Sequence, residues 1–455
     1  MKKIFLLLVV ILLGVAACQP VSQVPPASLQ FSPVVFDIPS VERFELSNGI
    51  PVFFKKNSEL PLVTAQAVFR AGSTYDPPGK EGLADITAAG MRTGGTLHMS
   101  GNEVDELLDR HAALLSVSMG RDTGTASLSV MSQDIEMGIR VFSDIIMSPA
   151  FEADKVERAK ELAIENIRRI EDDPQRLAFR EFFIHFYDGD ARGRKSTPET
   201  IQNIGQSDCT DSHRRYFYPG NIMLGVTGNI SKDRITKLLE NAMGTWRVGG
   251  DVDVVPPPPS APGSLTVMTK EIPQSVIIGG LMSPGQEDPD YAAFRVLDYI
   301  LGGGGFRSRI MNEIRNIRGL AYSAGSIYSA RPPYGVSIVY VMTRADATNE
   351  AFAVLNEIIE EVAAGGVTEE ELNWAKEAIV NNYIFSFENY EQIVEKQLSV
   401  AFHGLPRNYL STYTSRIRSV SREDVRRVAR QYLDTADMTY LILGDEKQFD
   451  PSLLK

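Results

Sequence analysis

An internal repeat restricts the fold of this chain more than any other feature of its sequence. Residues 201–229, IQNIGQSDCTDSHRRYFYPGNIMLGVTGN, align without a gap with residues 417–445, IRSVSREDVRRVARQYLDTADMTYLILGD. Identical residues lie 216 positions apart, among them Asp208 and Asp424, Tyr216 and Tyr432, and Gly228 and Gly444. A second block, residues 157–166 against 373–382, has the same offset. The chain is therefore predicted to contain two homologous domains.

Each copy of the repeat carries the same order of signals. An apolar strand pattern is followed by amphipathic helices, one of them long, and then by a closing strand that ends in Gly-Asn or Gly-Asp. This order is typical of an α+β fold with helices grouped against a sheet.

A proline-rich segment separates the two copies. Residues 253–264 include the run VVPPPPSAPG, whose prolines can continue neither a helix nor a central strand. We therefore predict an N-terminal domain over 39–252, a semi-rigid linker over 253–264 and a C-terminal domain over 265–455.

The N-terminus is predicted to direct export. Two lysines precede an apolar run that is too short to span a bilayer. The residues Val15-Ala16-Ala17-Cys18 resemble the lipobox of bacterial lipoproteins, which implies a signal peptide over 1–17 and a lipid on Cys18. Residues 18–38 are predicted to form a flexible tether. A plain secretory signal cleaved after Ala17 is the alternative.

This interpretation places the protein in the bacterial cell envelope, anchored by lipid and facing the periplasm. Gln19 resembles the residue that follows the cysteine in lipoproteins of the outer membrane, so that membrane is favoured. The predicted contact with a membrane is through the lipid anchor only.

The charge of the chain excludes some classes of partner. The formal net charge is −12, and removal of Lys2 and Lys3 with the signal makes it −14. Such a balance argues against nucleic acid and against acidic lipid headgroups as ligands. With Cys18 lipidated, Cys209 has no partner for an intrachain disulfide, and the chain has no thiolate cluster for a metal.

The stretch GLADITAAGM, residues 82–91, is predicted to open a helix. It follows an apolar strand pattern at 62–73 and a polar turn at 75–82. The order of these elements, the repeat and the linker resemble the M16 peptidases, the insulinase and mitochondrial processing peptidase family. The resemblance implies two M16-type domains, each a mostly antiparallel sheet with helices packed on it.

Active members of that family carry Gly-Leu-Ala-His-x-x-Glu-His on this helix, where two histidines one turn apart bind zinc and the glutamate activates water. Gly82-Leu83-Ala84 matches, but Asp85, Ala88 and Ala89 replace the first histidine, the glutamate and the second histidine. The third ligand of the family is a glutamate on a later helix, and Asn166 stands there. Glu165 lies one residue before that position, so its side chain would point about 100° away around the helix.

The resemblance therefore implies a degenerate zinc site that binds no metal in this chain. The five histidines show no pair at ligand spacing and are interpreted as structural. Asp85 could serve as a catalytic base, but a helical N-terminal carboxylate is the simpler interpretation.

The second domain keeps its signature. Residues 299–328 contain Gly302, Gly303, Gly304 and Gly305, then Phe306, a helix that ends at Gly319 and a strand pattern. The family's arginine and tyrosine, seven positions apart, correspond to Arg315 and Tyr322. The resemblance implies that this pair binds a substrate carbonyl, while the glycines and Phe306 contact the substrate backbone. The alternatives are a surface ion pair for Arg315 and a plain sheet residue for Tyr322.

These features predict a non-catalytic subunit of a heterodimeric M16 zinc peptidase. The zinc, and the His-x-x-Glu-His motif, would belong to a partner subunit, and the two would enclose an unfolded or extended peptide. Arg315 and Tyr322 would then act in trans. A scaffold or peptide-binding protein without a role in proteolysis is the second hypothesis, and an active enzyme that uses Asp85 is the third.

Overall fold

The computed structural model describes residues 37–247, 249–250, 254–260 and 262–454. The helices and strands belong to one compact unit, Ile38–Lys455. The predicted signal peptide and Cys18 lie outside the described residues, as does the predicted tether apart from its last two positions. None of the helices in the described part of the chain has the length and apolar character needed to cross a membrane.

The first half of this unit precedes the proline-rich segment. Its elements in chain order are β1 (Glu42–Glu45), β2 (Pro51–Lys56), β3 (Leu62–Phe69), α1 (Leu83–Thr93), α2 (Gly101–Arg110), β4 (Leu114–Met119), β5 (Gly124–Met131), α3 (Ile135–Met147), α4 (Ala153–Asp172), α5 (Pro174–Phe186), α6 (Pro198–Gln202), α7 (Gln206–Tyr216), β6 (Ile222–Gly228) and α8 (Lys232–Met243).

The second half follows that segment. Its elements are β7 (Ser264–Thr269), β8 (Gln274–Ser283), α9 (Tyr291–Asp298), β9 (Ala321–Ala330), β10 (Gly335–Arg344), α10 (Thr348–Gly365), α11 (Glu369–Tyr383), α12 (Tyr390–Phe402), α13 (Tyr413–Ser419), α14 (Arg422–Tyr432) and β11 (Thr439–Gly444). Two π-helical segments, Tyr299–Gly303 and Met311–Ile317, lie between α9 and β9.

Each half forms one sheet, and the two sheets have the same strand order apart from β1, an additional edge strand in the first. The strand orders are β1-β2-β6-β3-β5-β4 and β7-β11-β8-β10-β9. In each sheet one neighbouring pair is parallel, β2 with β6 and β7 with β11, and the other pairs are antiparallel. The predicted α+β class with two homologous, mostly antiparallel halves is confirmed.

The helices reproduce the offset read from the sequence. Helix α12 begins and ends 216 positions after α5, and α14 does so after α7. The N-terminal caps also correspond. Asp208 accepts from the amide of Gly205 at the start of α7, and Asp424 accepts from the amide of Ser421 at the start of α14.

Some strands alternate between a buried and a more open face, whereas the central strands β8 and β11 are buried over most of their length. In β3 the residues Val63, Ala65, Ala67 and Phe69 are buried in the first core, and the residues between them are less buried or exposed. Helix α1 packs against α4 and α7 in this core. A second core lies beneath α9, α10 and α14 in the other half.

The other face of each sheet is covered in part by a helix of the opposite half. Helix α5 packs Phe182 against Ile278 and Leu441 of the second sheet, and α12 packs Val394 and Leu398 against Phe53 of the first. The two helices are equivalent in the repeat, so the exchange is reciprocal. It joins the halves through apolar contacts in addition to the covalent linker.

Candidate functional site

Helix α1, which carries the degenerate zinc motif, begins at a position that requires glycine. Gly82 has φ of 103° in the left-handed region, and an added Cβ would overlap Ile201. The buried carboxylate of Asp76 accepts from the amides of Gly82 (2.8 Å) and Ala84 (2.9 Å). Asp76 thus supplies the cap that Gly82 cannot.

Burial raises the pKa of Asp76 to about 7, and the nearby Asp85 adds to this, while the two amides act in the opposite sense. Asp85 lies in the first turn of α1 with its side chain exposed. The protein around its carboxyl still displaces enough solvent to raise its pKa.

The other positions of the motif hold no donor aimed at a metal. Ala88 is buried and Ala89 is partly buried in the first core. Asn166 is exposed on α4, and its Oδ1 accepts from Arg176 at 3.1 Å. Glu165 pairs instead with Arg169 at 3.1 Å.

Zinc does not fit the residues at this place. Two of the four positions are alanines, which have no donor atom, and Asn166 is a neutral amide already engaged by Arg176. Within the described ranges, no group of three His, Cys, Asp or Glu side chains could hold a metal ion. His213, whose Nε2 donates to the carbonyl of Ile146 at 2.8 Å, has a structural role.

Arg92, near the C-terminal end of α1, contacts the edge of the first sheet. Its Nε donates to the carbonyl of Leu115 in edge strand β4 at 2.8 Å, and its Nη1 pairs with Asp105 at 2.7 Å. One backbone acceptor of the edge is therefore already used, which disfavours pairing with a further strand at this point.

Next to this edge, the open face of the first sheet is polar. Gln66 faces Ser127 across β3 and β5, and Ser116 faces Ser127 across β4 and β5. These side chains line a cavity of about 600 Å³ that extends to Glu391 and Glu395 of α12. An extended polar chain could hydrogen-bond to such a surface.

The candidate site in the second half lies at the equivalent edge. Strand β9 pairs with β10 on one side only, and the register shifts between Met342 and Thr343, opposite Tyr322. This irregularity is a β-bulge, a device that redirects a side chain. The side chain of Tyr322 is 79% exposed, so it belongs to the surface and not to the core.

Arg315 joins the predicted site residues into one cluster. Its Nη1 donates to the carbonyl of Tyr322 at 2.9 Å, and its guanidinium carbon lies 4.5 Å from the Tyr322 ring centre and 4.8 Å from that of Phe306. The residues that the structure describes place no carboxylate at salt-bridge distance from Arg315. Arg315 therefore has no carboxylate partner among these residues. The alternative in which Arg315 forms a surface ion pair is excluded for this part of the chain.

The glycine-rich loop is shaped by close packing. An added Cβ at the buried Gly302 would overlap the backbone of Ser326 in β9, and one at Gly304 would overlap the ring of Trp374. Gly303 and Gly305 are exposed. The structure thus gives a packing reason for Gly302 and Gly304, and contact of the four glycines with a substrate backbone stays a prediction.

The loop is also anchored at its C-terminal side. Arg307 pairs with Glu370 at 2.7 Å, and Arg309 pairs with Glu371 at 2.7 Å, both at the start of α11. The amide of the Asn316 side chain donates to the carbonyl of Phe306 at 3.2 Å. These contacts hold the backbone of Phe306 while its ring stays exposed.

Comparison with known proteins gives the family. Residues 52–196 match the model for insulinase (peptidase family M16), and residues 203–379 match the model for the peptidase M16 inactive domain. The chain belongs to peptidase family M16. The resemblance read from its sequence is confirmed.

The curated relatives of this M16 chain cover most of its length. A non-peptidase homolog, YmxG of Helicobacter pylori, is 23% identical over 402 residues, 88% of this chain and 93% of that protein. An uncharacterized zinc protease, YmxG of Bacillus subtilis, is 22% identical over 410 residues, 89% of this chain and 98% of that protein.

Solved structures with the same fold exist. The peptidase M16 inactive domain from Pseudomonas fluorescens matches with a TM-score of 0.81 at 23% identity, over 89% of this chain and 98% of that one. A protease from Helicobacter pylori matches with a TM-score of 0.80 at 18% identity, over 90% of this chain and all of that one. At these identities the likeness shows the M16 fold alone.

Two residues of the candidate site in this M16 chain, Asp76 and Arg92, were not predicted from the sequence. Asp76 lies eight positions before Ala84, whereas a capping side chain usually bonds two or three positions ahead, so its spacing gave no signal. Arg92 could be found only once α1 was known to lie beside β4.

Proposed function

We propose that this chain is a non-catalytic subunit of a heterodimeric M16 zinc peptidase. In this proposal it lends Arg315 and Tyr322 to a partner subunit that carries His-x-x-Glu-His. The observation that carries the proposal is the cluster of Phe306, Arg315 and Tyr322 at the edge strand β9, with a guanidinium that has no carboxylate partner among the described residues.

The cluster has the chemistry to bind a peptide carbonyl. A guanidinium has five N–H donors, and one Arg315 nitrogen bonds the Tyr322 carbonyl, so further donors remain for a ligand. The Tyr322 hydroxyl is a second donor on an exposed ring. Two donors held in place before a ligand arrives can stabilise the negative charge that develops on a carbonyl oxygen during hydrolysis.

The two subunits would have different roles because the first half of this chain lacks the zinc ligands and the base of the family. With Ala88 and Ala89 in place of a base and a ligand, α1 cannot activate water, so the partner subunit would have to supply both the zinc and the base. The roles of this chain would be to bind, to orient and to stabilise charge.

The ligand would be an extended peptide. Strand β9 has one unpaired edge, and the exposed Phe306 and Tyr322 offer apolar surface beside it. The polar face around Gln66 and Ser127 lines the cavity in the first half. Both surfaces favour recognition of backbone over recognition of a particular side chain.

We also propose that the protein is anchored by a lipid on Cys18 and faces the periplasm, with the outer membrane favoured. The support is the sequence around Cys18. Palmitate labelling of the wild type in a bacterial host, compared with Cys18→Ser, tests this: equal labelling of both would reject lipidation at that residue.

The second candidate is a scaffold or peptide-binding protein with no part in proteolysis. It is favoured by the name of the relative from Helicobacter pylori, a non-peptidase homolog. The retained pair of Arg315 and Tyr322 would then have no catalytic use.

A reconstitution experiment separates the two candidates. The purified protein, a zinc-motif M16 subunit from the same organism, and their mixture are each given an unfolded peptide, with zinc present. Hydrolysis that requires the mixture, together with a 1:1 complex in light scattering, supports the subunit proposal. Equal activity of the zinc subunit with and without this chain contradicts it and leaves the scaffold.

A further inference from the structure

A second cavity lies where the two halves meet. It has a volume of about 420 Å³ and is lined from the first half by Arg70 after β3, Asp122 in the turn between β4 and β5, and Arg192 after α5. The second half contributes Arg331 and Tyr334 from the turn between β9 and β10. We call this cavity the inter-half pocket.

We propose that the inter-half pocket binds a small oxyanion, a carboxylate or a phosphate group. Three guanidinium groups line it beside two carboxylates, Asp122 and Glu287, so an anion would be held by individual free donors and not by a surplus of positive charge. Asp122 lies 3.2 Å from Arg331 Nη1 and 3.7 Å from Arg192 Nε. Arg70 meets no carboxylate in the described ranges, and its Nη2 donates to the carbonyl of Phe402 at 3.1 Å.

Arg192 supplies a donor that the protein leaves unsatisfied. Its side chain is 2% exposed, its Nη1 bonds Asp190 at 3.0 Å and its Nη2 bonds the carbonyl of Pro256 at 2.9 Å. Its buried Nε has no hydrogen-bond partner among the described residues, because Asp122 at 3.7 Å is too distant. A buried charged donor without an acceptor is costly, and an anion in the adjoining cavity would remove that cost.

At His403 in the lining, Arg70 and Arg331 together outweigh Asp122, which acts in the opposite sense. His403 lies in the lining near the end of α12, and burial, Arg70 and Arg331 all lower its pKa. The chain as a whole has a net charge of −12. Long-range attraction does not bring anions to the protein, and binding must come from the local donors.

An oxyanion suits this site because its oxygens can accept from several guanidinium groups together. Arg70 belongs to the first half and Arg331 to the second, so one ion that contacts both would add a polar connection between the halves. This role is independent of proteolysis, and it does not rest on the proposed function.

Calorimetric titration of the purified protein tests the site. Inorganic phosphate and acetylglycine are titrated separately at constant ionic strength, with chloride as the reference anion. The variants are Arg70→Gln and Arg331→Gln, and Arg158→Gln, whose exposed side chain pairs with Glu161 on α4, is the matched control.

We expect saturable 1:1 binding of at least one probe, weakened at least tenfold in both pocket variants and unchanged in Arg158→Gln. Phosphate alone would indicate a phosphorylated ligand, and acetylglycine alone a carboxylate such as a peptide C-terminus. The proposal is overturned if neither probe saturates the wild type, or if folded pocket variants, checked by melting temperature, bind as the wild type does.

Discussion

Arg315 donates to the backbone carbonyl of Tyr322 at 2.9 Å, and its guanidinium stacks on the ring of the same residue, 4.5 Å from its centre. The first half contains a counterpart of this bond, in which Arg92 Nε donates to the carbonyl of Leu115 in the equivalent edge strand. Along the chain, Arg92 lies between β3 and the edge strand β4, and Arg315 lies between β8 and the edge strand β9. Of these two arginines, Arg92 is paired with Asp105, whereas Arg315 has no carboxylate partner among the described residues.

The unpaired charge gives a prediction for Arg315. Arg315→Ala should lower kcat of the reconstituted mixture by about 10²-fold, the usual cost of one donor to a developing oxyanion. The free energy of unfolding should fall by only about 1 kcal/mol, because the lost contacts are one exposed hydrogen bond to the Tyr322 carbonyl and cation–π contacts at the surface. Steady-state kinetics and urea denaturation measure the two effects. Arg318→Ala, three positions away and paired with Glu313, is the control and should leave kcat unchanged.

Asp76 should make stability fall as pH rises. Its pKa is raised from 3.8 to about 7 in the folded state, so the folded protein binds the proton more tightly than the unfolded chain does. The stabilisation is complete below pH 3.8 and is lost as pH rises through 7, a change on the order of 2 kcal/mol between pH 5 and 8. Urea denaturation of wild type and Asp76→Asn across this range isolates the effect. A variant with the same pH dependence as the wild type would show that Asp76 is ionised throughout.

His213 should have the opposite effect. Burial lowers its pKa from 6.5 to about 4, so between these pH values the His213 ring binds a proton in the unfolded chain but not in the folded protein. The stabilisation is present above pH 6.5 and is lost as pH falls toward 4, by about 2 kcal/mol between pH 7 and 5. His213→Gln, which keeps a donor for the Ile146 carbonyl, should remove this dependence. NMR titration of the His213 ring measures the pKa directly, and a value near 6.5 would refute the prediction.

The exchange of helices between the halves predicts the effect of two glycine substitutions. An added Cβ at Gly280 would overlap Phe182 of α5, and one at Gly225 would lie 2.9 Å from Val394 of α12. Gly280→Ala and Gly225→Ala should each lower the free energy of unfolding by about 1–3 kcal/mol through overpacking. Gly365→Ala meets nothing within 4 Å and serves as the control. Thermal denaturation measures the effect. Wild-type melting temperatures for both glycine variants would mean that α5 and α12 do not pack as described.

The architecture could be predicted from the sequence because the repeat has a constant offset. Two blocks 216 positions apart indicated equivalent helices, and α5 and α12 have that offset at both ends. The resemblance to M16 peptidases also brought Phe306, Arg315 and Tyr322 together as one candidate site. The structure places them in contact, although their use in binding stays a prediction.

The other features depend on tertiary contacts that the sequence does not reveal. The sequence of α5 shows an apolar face, but nothing in it says that the face packs on the sheet of the other half. The bulge at Tyr322 arises from the pairing with β10, which a single strand pattern does not reveal. The inter-half pocket combines residues separated by more than two hundred positions, and no motif links them.

The most direct test of the central claim is the kcat of the reconstituted mixture with Tyr322→Phe in this chain and an unaltered zinc subunit. The matched control is Tyr390→Phe, which removes a phenol hydroxyl from the start of α12. We predict a kcat about 100-fold lower for Tyr322→Phe, with KM changed by less than about twofold, and wild-type kinetics for Tyr390→Phe. Wild-type kinetics for Tyr322→Phe in a mixture that requires this chain would contradict the account.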